Sequence, residues 1–223
     1  MRSSKYLAEF LGTGILVAVV VGSGAMATSL SSDKGIELLV NAISTALALG
    51  ILIVLFAPIS GAHFNPVVTL ADLAKKRIPV LTSIGYVIAQ VLGAMSGAII
   101  ANLMFKHPAI YMSQRVRSGG NLFLGEVIAT AGLLMIIHVI GNQKRSSLVP
   151  ILVAAWIGSA YFFTSSTSFA NPAVTFGRAF SNTFSGIALR SVPMFIFAQI
   201  LGAAIGLGIA FALSDDMKVG RFS

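Results

Sequence analysis

The sequence predicts an all-α membrane protein, with six transmembrane helices plus two half-length helices arranged as an inverted repeat within one domain over residues 1–223. Three observations lead there. First, 56% of the residues are hydrophobic and 10% charged, where a soluble domain carries about 25% charged residues. Second, five apolar runs reach the roughly 20 residues that a spanning helix needs, a sixth falls a few short, and two more stop at about half that length. Third, the chain resembles itself. Ala8-Glu9 matches Gly125-Glu126, Ala89-Gln90-Val91-Leu92-Gly93-Ala94 matches Ala198-Gln199-Ile200-Leu201-Gly202-Ala203, and Asn65 matches Asn171. The repeats run over about 1–106 and 121–214. Each holds three full spans, an odd number, so the second enters the bilayer from the opposite side.

The elements follow in order. Tyr6 to Leu30 is the first span, and its length and Glu9 near its start argue against a cleaved signal peptide. Ser31 to Lys34 is a polar turn, and Ile36 to Phe56 the second span. Ala57 to Phe64, with Pro58 and Gly61, reads as loop. Pro66 to about Lys75 is apolar but short, and Lys75-Lys76-Arg77 stops it. Pro79 to Phe105 is the third span, and residues 106–120 form the longest polar connection. The pattern restarts with spans at Asn121 to Gly141 and Leu148 to Phe163. A Ser/Thr loop then leads to the second short piece, Pro172 to about Phe180, and Arg190 to Leu213 is the last span.

Both short pieces begin with Asn-Pro: Asn65-Pro66-Val67 and Asn171-Pro172-Ala173. Asn caps a helix start, and Pro suits the first helical position because its missing N–H is not needed there. Two helix starts at membrane depth are acceptable only where the backbone lines a cavity or is buried in protein. Paired short segments in the two halves of an inverted repeat point to the functional site.

The rest of the sequence narrows the function class. The net charge of +8 comes from loops and chain ends, without a basic helix face, so nucleic acid is not the expected partner. With the N-terminus inside, the inner segments carry Arg2, Lys5, Lys75, Lys76, Arg77, Lys144, Arg145, Lys218 and Arg221. The outer segments carry Lys34, Lys106, Arg115, Arg117, Arg178 and Arg190. Nine against six puts both termini in the cytoplasm. There is no Cys, and His63, His107 and His138 lack ligand spacing, so no metal and no cofactor are expected. No nucleophile–base spacing suggests an enzyme. Gly93-x-x-x-Gly97 and Gly202-x-x-x-Gly206 are repeat-equivalent faces for close helix crossing.

With these residues in hand, the chain resembles the aquaporin and aquaglyceroporin (major intrinsic protein) family. The resemblance rests on the two Asn-Pro boxes, on Ser60-Gly61-Ala62-His63-Phe64-Asn65-Pro66, and on Glu9 and Glu126, and it covers essentially the whole chain. It implies half-helices meeting mid-membrane beside a pore in each subunit, subunits assembled as homotetramers, and a place in the cell's inner (plasma) membrane. The Asn65 and Asn171 amides would greet the solute, and the two helix N-termini, each worth about +0.5 elementary charge, would repel cations and hydronium. Glu9, Glu126 and His63 would hold the loops that precede the half-helices.

The resemblance also marks a departure. Most members carry Arg three residues after the second Asn; here that position is Val174, a feature similar to a bacterial branch linked with arsenic resistance. Counting by the family pattern puts Thr45, Ser159 and Ser168 with Val174 in the selectivity filter, a wide and uncharged ring. Proton exclusion would then rest almost wholly on the half-helix dipoles. In the alternative, Arg178, about two helical turns past Asn171, supplies the missing charge. The expected function is a passive channel for small neutral solutes: glycerol-type polyols, metalloid acids such as arsenous acid, urea and water. A water-selective aquaporin is the alternative, followed by a coupled secondary transporter and by a structural protein with an occluded pore.

Overall fold

The computed structural model describes the backbone of residues 3–219 and the side chains of 3–214. Among these residues the fold is helical apart from one isolated bridge between Tyr111 and Ser181. The helices are α1 (Ser4–Leu30), α2 (Lys34–Ser60), α3 (Pro66–Ala74), α4 (Val80–Met104), α5 (Gly120–Asn142), α6 (Val149–Phe163), α7 (Pro172–Gly177) and α8 (Val192–Val219). Six are long and apolar enough to cross a membrane. Of the residues used to orient the chain, Arg2 and Arg221 lie outside the described residues, as does the side chain of Lys218.

Local chemistry sets the helix ends. Asp33 caps α2 by accepting hydrogen bonds from the Gly35 and Ile36 N–H groups at 2.8 and 3.0 Å. At its other end α2 runs through Pro58 to Ser60 instead of stopping near Phe56. Pro58 removes only one donor in the closing turn. Gly61, with φ 90°, adopts the left-handed conformation that ends the helix and returns its N–H to the Ala57 carbonyl.

The surface is the reverse of a soluble protein's. Leu47, Ile51, Ile151 and Phe211 are each more than 60% exposed, while Glu9, Gln90, Glu126 and Gln199 are fully buried. Many aliphatic side chains face outward, where lipid is the solvent, and these four polar ones are internal and hydrogen-bonded.

Two helix pairs frame the interior, α1 with α4 and α5 with α8. Both depend on the glycines of the small-residue faces. A Cβ on Gly93 or Gly97 would come within 2.3 Å of the Phe10 carbonyl or 2.1 Å of the Gly14 carbonyl on α1. A Cβ on Gly202 or Gly206 would meet the Val127 or Ala131 carbonyl on α5 at 2.5 or 2.2 Å. Backbones this close bring Gln90 and Gln199, one turn earlier on α4 and α8, against the interior loops. The long 105–119 connection is stitched across the residues after α7: Tyr111 N–H donates to the Phe180 carbonyl, Ser113 N–H to the Ala179 carbonyl, and Arg117 N–H to the Ser191 hydroxyl.

Candidate solute pathway

The two Asn-Pro boxes meet. Asn65 Oδ1 accepts from the Val67 N–H at 3.1 Å, and Asn171 Oδ1 from those of Ala173 and Val174 at 3.0 and 3.2 Å. These caps fix each side-chain amide with its NH2 turned away from its own helix. Asn65 Nδ2 then donates to the Ala170 carbonyl at 2.8 Å, and Asn171 Nδ2 to the Phe64 carbonyl at 2.7 Å. Each box therefore holds the loop that precedes the other. An NH2 group carries two hydrogens, so one on each Asn remains for a guest. Pro66, Val67, Pro172 and Ala173 are buried behind this junction.

The loops feeding the boxes are wound unusually. Ala62 and Phe64 have φ of 51° and 49°, and their repeat equivalents Ser168 and Ala170 have 49° and 48°. Left-handed conformations cost a non-glycine residue about 1–2 kcal/mol each, so something must hold them. Buried carboxylates do. Glu9 accepts from the His63 and Phe64 N–H groups at 3.0 and 2.7 Å, from the Ser60 hydroxyl at 2.6 Å and from Gln90 Nε2 at 2.8 Å. Glu126 accepts from the Phe169 and Ala170 N–H groups at 2.8 and 2.9 Å and from Gln199 Nε2 at 2.6 Å. The same glutamines also bind the first-turn threonines of the half-helices: Gln90 reaches Thr69 Oγ1 at 3.0 Å, and Gln199 reaches Thr175 Oγ1 at 2.8 Å. Carboxylate, amide and hydroxyl form the same clamp twice.

With their N–H groups held, both loops border one elongated cavity of about 190 Å³. Its walls are mostly apolar, with Leu16, Val20, Leu49, Ile53, Val68, Leu133, Val153 and Ile157 among them. Its polar lining includes Asn65, Asn171, Thr45, Tyr161 and Ser168. An apolar tube with a few convergent polar groups is the usual form of a small-molecule site. His63 also lines it; its Nδ1 lies 3.1 Å from Thr69 Oγ1, and its Nε2 3.3 Å from Asp72, which Arg77 holds from the other side at 3.2 Å.

The expected filter set needs correcting. Thr45, Ser168 and Val174 border the cavity, but Ser159 does not. Ser159 is exposed on the outer face of α6, and its hydroxyl donates to its own helix at the Trp156 carbonyl. Helical phase explains the miss. Val149, Val153, Ile157 and Tyr161 form the inward stripe, and a residue two positions from Ile157 and from Tyr161 faces away. Tyr161 stands in its place, with its hydroxyl 3.2 Å from Thr45 Oγ1. Val67 is likewise off the lumen, and its neighbour Val68 is on it. Arg178, a cation, also borders the cavity, and its guanidinium lies over the Phe169 ring. His138 is buried, and neither of its ring nitrogens is hydrogen-bonded among the described residues.

A bundle of membrane-crossing helices around one lumen, interrupted by two opposed half-helices, defines a channel of the aquaporin fold. The model of the family described as "Major intrinsic protein" matches residues 2–169, and the chain belongs to that family, whose members are passive membrane channels and not enzymes. Over 205 residues it is 46% identical to "Aquaglyceroporin AqpS" of Rhizobium meliloti (strain 1021), covering 92% of this chain and 88% of that one. It is 31% identical to "Glycerol uptake facilitator protein-like 6" of Lactiplantibacillus plantarum, covering 95% and 99%. The solved aquaglyceroporin from Plasmodium falciparum superposes with a TM-score of 0.72 at 21% identity, covering 96% and 99%, and shares the fold.

Proposed function

We propose that this multi-pass membrane protein passes small neutral solutes down their gradients: glycerol-type polyols, urea, metalloid acids such as arsenous acid, and water. The observation that carries the reading is the junction of Asn65 and Asn171. Each keeps one amide hydrogen for an acceptor in an otherwise apolar tube. A hydroxylated neutral guest can take both hydrogens while its carbon side lies along Leu49, Ile53, Val153 and Ile157. Val174 supports a bore wider than a strict water channel, because a valine stands on the lumen where most members of the family bring a guanidinium. The names of the two bacterial relatives, an aquaglyceroporin and a glycerol facilitator-like protein, point the same way.

In this reading Thr45, Tyr161, Ser168 and Val174 form the constriction, Glu9 and Glu126 hold its backbone, and His63 orients the inner loop. The protein works as a homotetramer in the inner membrane with both termini cytoplasmic. Light scattering of proteoliposomes in glycerol, urea, arsenous acid and water gradients tests the proposal, with Val174→Arg as the comparison. The variant is expected to lose glycerol and arsenous acid flux and to keep measurable water flux. Unchanged glycerol and arsenous acid flux in the variant would show that position 174 is not at the constriction. Flux that required a proton or sodium gradient would favour a coupled transporter.

A further inference from the structure

We infer that Arg178 is a specificity-determining residue of this pore, presenting a guanidinium to the lumen one helical turn beyond Val174; the inference rests on the channel reading above. Arg178 follows α7 in a short 3-10 turn and is 2% exposed. A buried arginine is normally paired with a carboxylate, and this one is not. Among the described residues no carboxylate lies within ion-pair distance of it, and the nearby Glu126 is already filled by three donors. Its Nε donates to the Ser185 carbonyl at 2.5 Å, and the guanidinium lies over the Phe169 ring at 3.3 Å. These contacts fix the plane of the group and leave its charge uncompensated.

Neither terminal amino group has a hydrogen-bond partner among the described residues, and neither is among the fully enclosed polar atoms that lack one. The side chain borders the cavity together with Val174, Ser168 and Phe169. The free amino groups therefore open on the lumen, where up to four N–H donors meet whatever passes. The repeat sharpens the point. The position equivalent to Arg178, six residues past the first box's proline, is Asp72, and that charge is paired with Arg77, with the His63 ring beside it. Among the described residues, it is the Arg178 end of the lumen that keeps a charge without an ion-pair partner.

Two consequences follow for transport. A fixed cation in a narrow, low-dielectric passage repels other cations, so exclusion does not rest on the half-helix dipoles alone. A planar fork of donors also selects solutes that offer oxygen acceptors.

The test uses full-length protein in liposomes, with water conductance as the check that the pore is assembled and open. Methylammonium uptake and proton leak into pyranine-loaded vesicles report on exclusion; the ratio of glycerol to water permeability reports on selection. Arg178→Gln is expected to raise cation entry about tenfold or more, and adding Val174→Arg to that variant should restore exclusion from one turn away. Arg178→Lys keeps the charge and loses the fork, so it should retain exclusion while its glycerol-to-water ratio falls. It also covers the case in which the Gln variant does not assemble. Wild-type exclusion in the Gln variant, or a wild-type glycerol-to-water ratio in the Lys variant, would overturn the assignment while leaving the channel intact. Absence of neutral-solute flux in the wild-type protein would instead overturn the channel reading.

Discussion

Glu126→Gln separates holding a loop in place from holding the fold together. In the wild type, Oε1 accepts the Phe169 N–H, and Oε2 accepts the Ala170 N–H and Gln199 Nε2. A glutamine keeps one acceptor. It does best with its oxygen at the Oε2 position, where two donors converge, and its NH2 then faces the Phe169 N–H, donor against donor. Orphaning that buried N–H costs about 1–3 kcal/mol, and losing charge assistance on the other two bonds costs a further ~1–2 kcal/mol. Against this, removing a carboxylate from the membrane interior recovers roughly 2.5–3.5 kcal/mol. The terms nearly cancel, so the melting temperature in detergent should move by only a few degrees. Flux should respond far more, because Ser168 and Ala170 sit in left-handed conformations that cost about 1–2 kcal/mol each. Released at Phe169, the loop relaxes, and the carbonyls beside Asn65 and Val174 leave their places. Glu126→Ala offers no such offset. It strands all three donors and should fail to assemble. Differential scanning fluorimetry together with glycerol flux from the same preparation makes the comparison. A Gln variant with wild-type flux, or one that fails to assemble as the Ala variant does, would refute the reasoning.

Two further substitutions probe the frame and the corrected filter. Gly206→Ala puts a Cβ 2.2 Å from the Ala131 carbonyl, whereas Gly208→Ala, on the same helix, meets nothing within 4 Å. Both gain helix propensity, so thermal unfolding should rank Gly206→Ala below Gly208→Ala by about 1–3 kcal/mol of overpacking, and equal stability would show that α5 and α8 can part freely. Ser159→Phe would block the passage if Ser159 lined it; on the outer face of α6 it should leave glycerol flux unchanged, and a large loss would return Ser159 to the filter.

Much of this was legible in the sequence because bilayers and helix ends leave strong signals. Five spans are readable from apolar length alone, the shorter one at 148–163 from its place in the repeat, and the half-helices from Asn-Pro followed by a short apolar run. The shortfalls have physical causes. Pro58 reads as a breaker, but near the last turn a proline removes a single bond, and Gly61 supplies the actual stop. Ser159 was placed by counting back from Asn171, and a count through a loop carries no information about helical phase. The inward stripe at 149, 153, 157 and 161 was there to be read, and it selects Tyr161. Gln90 and Gln199 were visible as repeat matches, but their role was not. A buried amide that bridges a carboxylate and a threonine on another element leaves no local pattern. For Arg178 the sequence offers a distance along the helix, but no spacing foretells the tight 3-10 turn after Gly177 that keeps its side chain against the cavity.

The repeat also shows which parts of the site are scaffold and which discriminate. Glu9, Gln90 and Thr69 recur as Glu126, Gln199 and Thr175, and the left-handed residues recur at 62 and 64 and at 168 and 170. Apart from Ser60 on Glu9 and His63 on Thr69, the clamp residues bind backbone and one another. Either half needs them to keep a strained loop and a buried helix start satisfied, whichever side of the membrane it faces. Among the residues that border the cavity, Asn65 and Val68 recur as Asn171 and Val174, but others differ. His63 has become Phe169, and Asp72 has become Arg178. In the first half an arginine pairs with a carboxylate beside an imidazole; in the second a ring and a carbonyl hold a guanidinium and leave it charged. A symmetric frame with unlike ends gives one lumen two different mouths. On the proposed channel reading, a solute from the side of Arg178 would meet the unpaired charge before the Asn pair, and one from the other side the Asp72–Arg77 pair first.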